Sequence, residues 1–181
     1  MDLPTGTPIR EGMEMTNVDF RKLFAAFRDH GLTGYLVLDI MTNNGIEEGT
    51  LLFSGGDVIG AEYDYVANGK VFRGDEALSF VMNACMGDGR FDVVQITAEE
   101  FISTREGNRE CVMKYKPTDA EVMGMLPDTF SEQRLEEKAV KVAPVAIAKG
   151  TVSREEVLKK YNITHPDQKM LDKLLEGIAE S

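Results

Sequence analysis

Cysteine, histidine and basic residues are all scarce in this chain of 181 residues, and each scarcity closes off a class of function. Two cysteines, Cys85 and Cys111, are too few and too far apart for a metal knuckle or a disulfide-stapled scaffold, so both are expected to be reduced core thiols. Two histidines, His30 and His165, have no second His or Cys at ligand spacing, which leaves no zinc motif. Lys and Arg number 20 against 31 Asp and Glu, a formal net charge of -11. That balance argues against nucleic-acid backbone and anionic lipid, where affinity comes from cations displacing counterions, and favours a basic protein surface as partner. No apolar run approaches the length of a membrane span, and residues 1–14 lack a basic start followed by an apolar core. The expectation is a cytoplasmic protein that contacts neither membrane nor nucleic acid, binds a protein partner, and is a possible homodimer.

No phosphate-binding motif is present either. Gly87-Asp88-Gly89 follows a helical pattern and precedes a strand pattern, the reverse of the order that aims helix amides at an anion. Gly31-Leu32-Thr33-Gly34 imitates the GXXG loop of KH domains, but it leads from helix to strand in an acidic chain and reads as a turn. The neighbouring carboxylates Glu47-Glu48 and Glu99-Glu100 read as solvated rather than as acid/base pairs, since that chemistry needs unlike surroundings. Asp39, Glu62 and Asp64 could share a sheet face and hold a cation, with a solvated edge or a contact to basic partner residues as the alternative. No catalytic residue, cofactor-binding residue or metal ligand is assigned, and a non-enzymatic protein is expected.

What is present is ordinary globular composition, 28% charged and 43% hydrophobic, too apolar for a disordered chain. Phe20, Leu23, Phe24 and Phe27 recur at helical spacing, predicting a helix over 16–30 capped by Thr16 and packed on a sheet. Three strand-like runs follow over 34–40, 49–53 and 57–65, and Ser54-Gly55-Gly56-Asp57 marks a hairpin between the last two. A two-residue loop there puts Phe53 and Val58 on one side and Leu52, Ile59 and Ala61 on the other, the latter extended by Tyr63 and Tyr65. Both sides are then apolar, so the second must be covered by more of the chain or by a partner. Ile59, Tyr63 and Tyr65 are accordingly the candidate partner-binding residues, the tyrosines as an aromatic interface centre.

A second helix is predicted over 75–86, a fourth strand over 91–96, and capping boxes at Thr97/Glu100 and Thr118/Glu121. Residues 131–140 are a polar helix candidate, 143–150 a linker, and 153–160 with 166–178 a helical pair. The pair's spacing resembles a helix-turn-helix, but Asp167, Asp172 and Glu176 lie along the would-be reading helix against only Lys169 and Lys173. The division expected is a flexible arm over 1–15, a sheet-and-helix module over 16–115 and a helical region over 116–181. The fold class expected is α+β, an antiparallel sheet with two helices packed on one face plus a C-terminal helical region.

The order Phe-rich helix, Gly34-Tyr-Leu-Val-Leu38, Gly49-Thr-Leu-Leu-Phe-Ser-Gly-Gly-Asp-Val-Ile-Gly-Ala-Glu62, Gly74-Asp-Glu-Ala-Leu78 and Gly89-Arg-Phe-Asp92 resembles the PatA N-terminal-like (PATAN) family and related archaeal domains of unknown function. The resemblance covers the first two thirds of the chain. It implies a protein-interaction module or adaptor in prokaryotic signalling, in motility or small-GTPase type circuits, with no catalytic residue to carry over. A DNA-binding regulator acting through the C-terminal pair and a small-ligand sensor are the alternatives.

Overall fold

The computed structural model describes residues 1–43, 45–66 and 69–132. These fall in the first of two compact units, Met1–Lys141; the second, Val142–Ser181, lies outside the described residues, and with it the linker and the helical pair. Of the candidate helix over 131–140, only Ser131 and Glu132 are described.

The elements run β1 (Thr7–Glu14), α1 (Phe20–Asp29), β2 (Gly34–Thr42), β3 (Gly45–Ser54), β4 (Asp57–Tyr65), β5 (Lys70–Arg73), α2 (Asp75–Ala84), β6 (Gly89–Gln95), α3 (Ala98–Gly107) and α4 (Asp119–Met125). The strands form one antiparallel sheet in the order β1-β6-β2-β3-β4-β5, and the fold is α+β. Helices α1 and α2 contribute to one core on one face of the sheet.

Helix α1 begins later than its periodicity alone indicates. Residues Met15–Asn17 form a 3-10 turn, and Asp19 is the cap, its Oδ1 accepting from the Lys22 N–H at 3.2 Å. The phenylalanine stripe does what its spacing requires: Phe20 meets Phe91 of β6, and Phe24 and Phe27 meet Phe53 of β3, at centroid distances of 5.3, 6.0 and 5.1 Å. Each such side chain, fully buried, is worth about 1.5–3 kcal/mol of transfer free energy. Helix α2 covers the other end, where Phe80 stacks on Tyr63 and lies against Phe72. Helix α4 adds Val122 and Leu126 to the same core.

Both later capping boxes form, Thr97 with Glu100 at α3 and Thr118 with Glu121 at α4. Cys85 and Cys111 are free and buried, and burial raises both thiols above their ordinary pKa. The arm expected to be loose is ordered: residues Thr7–Glu14 pair with β6 as an edge strand although every one of them is exposed. The pairing, not burial, makes it a strand.

The second face carries its own smaller core of Tyr35, Leu52, Val94 and Ile96. It is covered from within the chain, by Met1, Leu3 and Phe101 of α3. The Tyr35 hydroxyl donates to the Pro4 carbonyl at 2.6 Å and fixes the crossing segment. A strap over 111–113 completes the outer edge of β4 where β5 stops, with Ala61 N–H donating to the Cys111 carbonyl and Met113 N–H to the Ile59 carbonyl, both at 2.9 Å. Covering an edge in this way removes a template for unwanted strand pairing.

Candidate protein interaction surface

The hairpin between β3 and β4 closes as expected, with Ser54 opposite Asp57 and Phe53 opposite Val58. The register then shifts, because Leu52 pairs with Gly60 and Ile59 is left as an extra residue. A bulge of this kind sends every later side chain of β4 to the opposite face. Ala61, Tyr63 and Tyr65 therefore join the main core under α2, while Ile59 stays with Leu52 on the second face. This corrects the placement of the candidate interface tyrosines: Tyr63 is 0% and Tyr65 4% exposed, out of reach of a partner, and Ile59 is half-buried beneath the chain's own cover.

Tyr63 has a different task. Its hydroxyl donates to Glu47, and Thr42 Oγ1 lies 3.0 Å from the other carboxyl oxygen. Burial first, then the bond to Glu47, lifts the Tyr63 phenol far above its ordinary pKa, so it stays protonated and remains the donor. Glu47 is 1% exposed, contrary to its reading as solvated. Strand β3 alternates, and alternation sends Glu47 into the core and Glu48 out.

Beyond the covered half, the second face carries Met41, Ile46 and Glu48 exposed among the described residues. One row crosses five strands: Arg90 of β6 stands opposite Asp39 of β2, Asp39 opposite Glu48 of β3, Glu48 opposite Asp64 of β4, and Asp64 opposite Val71 of β5. Three carboxylates are thus immediate cross-strand neighbours, an arrangement that destabilises a sheet. None of the three has an ion pair among the described residues. Burial, then Asp39, raises Glu48 above the usual carboxylate range; the chain's amino terminus acts the other way, and Asp64 adds a smaller upward push. Burial, then Asp92, raises Asp39. Beside the row, Met41 and Ile46 are opposite each other and 64% and 52% exposed, and Val71 is 38% exposed.

Asp39, Glu62 and Asp64 do share this face, yet they do not form a cation site. Glu62 is held in the next row by Arg73 Nε at 2.8 Å and by the Met1 amino group, and Glu48 stands between the other two. No group of three His, Cys, Asp or Glu among the described residues is arranged to hold a metal ion. Glu48 is the member that sequence reasoning missed. Pairing the 34–40 run with the 49–53 run would have placed it between Asp39 and Asp64.

The electrostatic conflict has a measurable sign. A carboxyl whose folded pKa is raised binds protons more readily in the folded than in the unfolded chain, so it costs stability when ionised and the cost fades as pH falls through the raised value. Glu48→Gln is expected to raise the melting temperature at pH 7 and low salt by about 1–2 °C. The gain should shrink in high salt and close as pH falls into the ordinary carboxylate range. Thermal melts of both proteins across pH check this; an equal or lower melting temperature for the variant at pH 7 contradicts it.

No helix among the described residues is long and apolar enough to cross a membrane. No curated protein and no solved structure matches the chain. Residues 1–108 match a family described as an uncharacterized protein conserved in archaea (DUF2226), a span that takes in the whole six-stranded sheet and α1 to α3. The chain belongs to that family of archaeal domains of unknown function.

Proposed function

We propose that this chain is a non-enzymatic adaptor that receives a basic protein on the open half of its second sheet face, acting in the cytoplasm in signalling circuits of the motility or small-GTPase type that the PATAN resemblance implies. The observation that carries this reading is the row Asp39, Glu48 and Asp64, none of which has an ion pair among the described residues. Like charges set side by side cost stability, and a cationic partner would turn that cost into binding free energy. Met41, Ile46 and Val71 offer apolar contact at the margins of the row. A second copy docking through the same face would set carboxylate against carboxylate, so the partner is a different protein.

The test is retention of proteins from native lysate on the immobilised full chain and on the Asp39→Asn, Glu48→Gln, Asp64→Asn variant. The expected result is a basic protein held by the first at low salt, eluted as salt rises, and bound about tenfold more weakly by the second. Equal retention by both would remove the face from the account.

A further inference from the structure

The helix-bearing side of the sheet contains a cavity that the interaction face does not use. Strand β1 runs unevenly along β6: Pro8 pairs with Val94 and Arg10 with Val93, which leaves Ile9 as an extra residue. Edge bulges re-aim the side chains beside them. Val93 belongs to the main core, so Arg10 opposite it stands on the side of the sheet that carries α1. Ile9 and Arg10 then face Leu23, Ala26 and Phe27 of α1 across a cavity of about 380 Å³. That volume lies within the range of small-molecule sites.

The lining has a definite chemistry. Ile9, Leu23, Ala26 and Phe27 supply apolar walls, and Arg10 and His30 are the basic residues at the cavity, with no carboxylate among the lining residues. Both basic side chains are exposed at the surface, and neither has an ion pair among the described residues. Arg10 Nη1 donates to the Ile9 carbonyl at 3.0 Å, which fixes the guanidinium beside the bulge and leaves its other N–H groups to meet a ligand. In a chain of net charge -11 with histidine counted as neutral, a hollow holding one arginine, one imidazole able to donate a hydrogen bond and no acid in its lining favours an anion. Among the other described cavities, one of about 450 Å³ sets Glu106 beside Arg105 and Arg109, and one of about 390 Å³ beside the chain start mixes four carboxylates with Arg73 and Arg109. A smaller one of about 250 Å³ has Arg105 and Lys116 and no carboxylate in its lining, but Lys116 is already paired with Asp57 at 2.6 Å.

We propose that the cavity between β1 and α1 binds an anionic amphiphile, its alkyl or acyl chain against Ile9, Leu23, Ala26 and Phe27 and its carboxylate or phosphate head at Arg10 and His30. The site is on the opposite face from the acidic row and stands independently of the adaptor reading.

Decanoate, decyl phosphate and decanol share a chain and differ in the head, so they separate the two contributions when titrated into the full chain below their micellar concentrations. Calorimetry and thermal shift should show saturable binding of both anions, with decanol at least tenfold weaker. The tighter of the two anions identifies the head group. Ala26→Leu, which fills the cavity from a good helix position, should abolish binding of all three. Arg10→Gln with His30→Gln touches only exposed side chains, and it should weaken the anions about tenfold while leaving decanol unchanged. Absence of saturable binding of either anion, decanol binding as tightly as the anions, undiminished binding to Ala26→Leu, or unaltered anion affinity in the double variant would each overturn the assignment.

Discussion

Tyr63→Ala is expected to lower the melting temperature by about 10 °C or more. The side chain is fully buried, stacked on Phe80 and edge-on to Tyr65. Truncating a large aromatic in such a place costs about 3–5 kcal/mol through lost transfer free energy and the cavity left behind. Tyr63→Phe separates the packing from the polar part. It keeps the ring but leaves Glu47 with Thr42 as its remaining hydroxyl neighbour, and an unsatisfied buried acceptor costs roughly 1–3 kcal/mol. Urea denaturation of the two variants should therefore rank them wild type, Phe, Ala in falling stability. An alanine variant as stable as the wild type would mean that Tyr63 lies at the surface after all, as the unbulged hairpin register would have it.

Gly56→Ala is expected to destabilise by about 2–5 kcal/mol, while Gly55→Ala one residue earlier costs roughly 1–2 kcal/mol. The two glycines of the hairpin turn both have positive φ, 59° at Gly55 and 88° at Gly56. Only one of them touches anything. A Cβ on Gly55 meets nothing within 4 Å, whereas a Cβ on Gly56 falls 2.3 Å from the Arg28 Cα and 2.7 Å from the Phe27 carbonyl oxygen. Backbone cannot yield as a side-chain tip can, so the turn and the end of α1 must separate. The Gly56 N–H, which donates to the Leu32 carbonyl at 2.7 Å, is lost with that contact. Equal stabilities for the two variants, measured by the same denaturation, would place the turn away from α1.

The difference between these two glycines was not visible in the chain itself. Ser54-Gly55-Gly56-Asp57 announces a hairpin because positive φ is needed at its tip, but which glycine meets a helix depends on where the helix ends in space. The same limit runs through the fold. Helix stripes and capping boxes are local, and Phe20, Phe24 and Phe27, Thr97 with Glu100, and Thr118 with Glu121 could all be recognised from spacing. The bulge at Ile59 could not, since an extra residue inside a run of strand formers leaves no mark on composition. One missed residue was enough to exchange the faces of Tyr63 and Tyr65. Strand β1 escaped notice because none of its residues is buried, so it has no alternation to show. For the acidic face, Asp39 and Asp64 were identifiable as possible neighbours, but the row needs Glu48 between them, and only the register of three strands supplies it.

The claim beneath the adaptor reading is that Asp39, Glu48 and Asp64 stand together on one sheet face, without an ion pair among the described residues. A carboxyl-carbon NMR titration of Glu48 in the full chain addresses it most directly. The account predicts a midpoint above the ordinary glutamate value that moves back toward it when Asp39 and Asp64 are replaced by asparagine. A midpoint at or below the ordinary value, unchanged by those replacements, would contradict it.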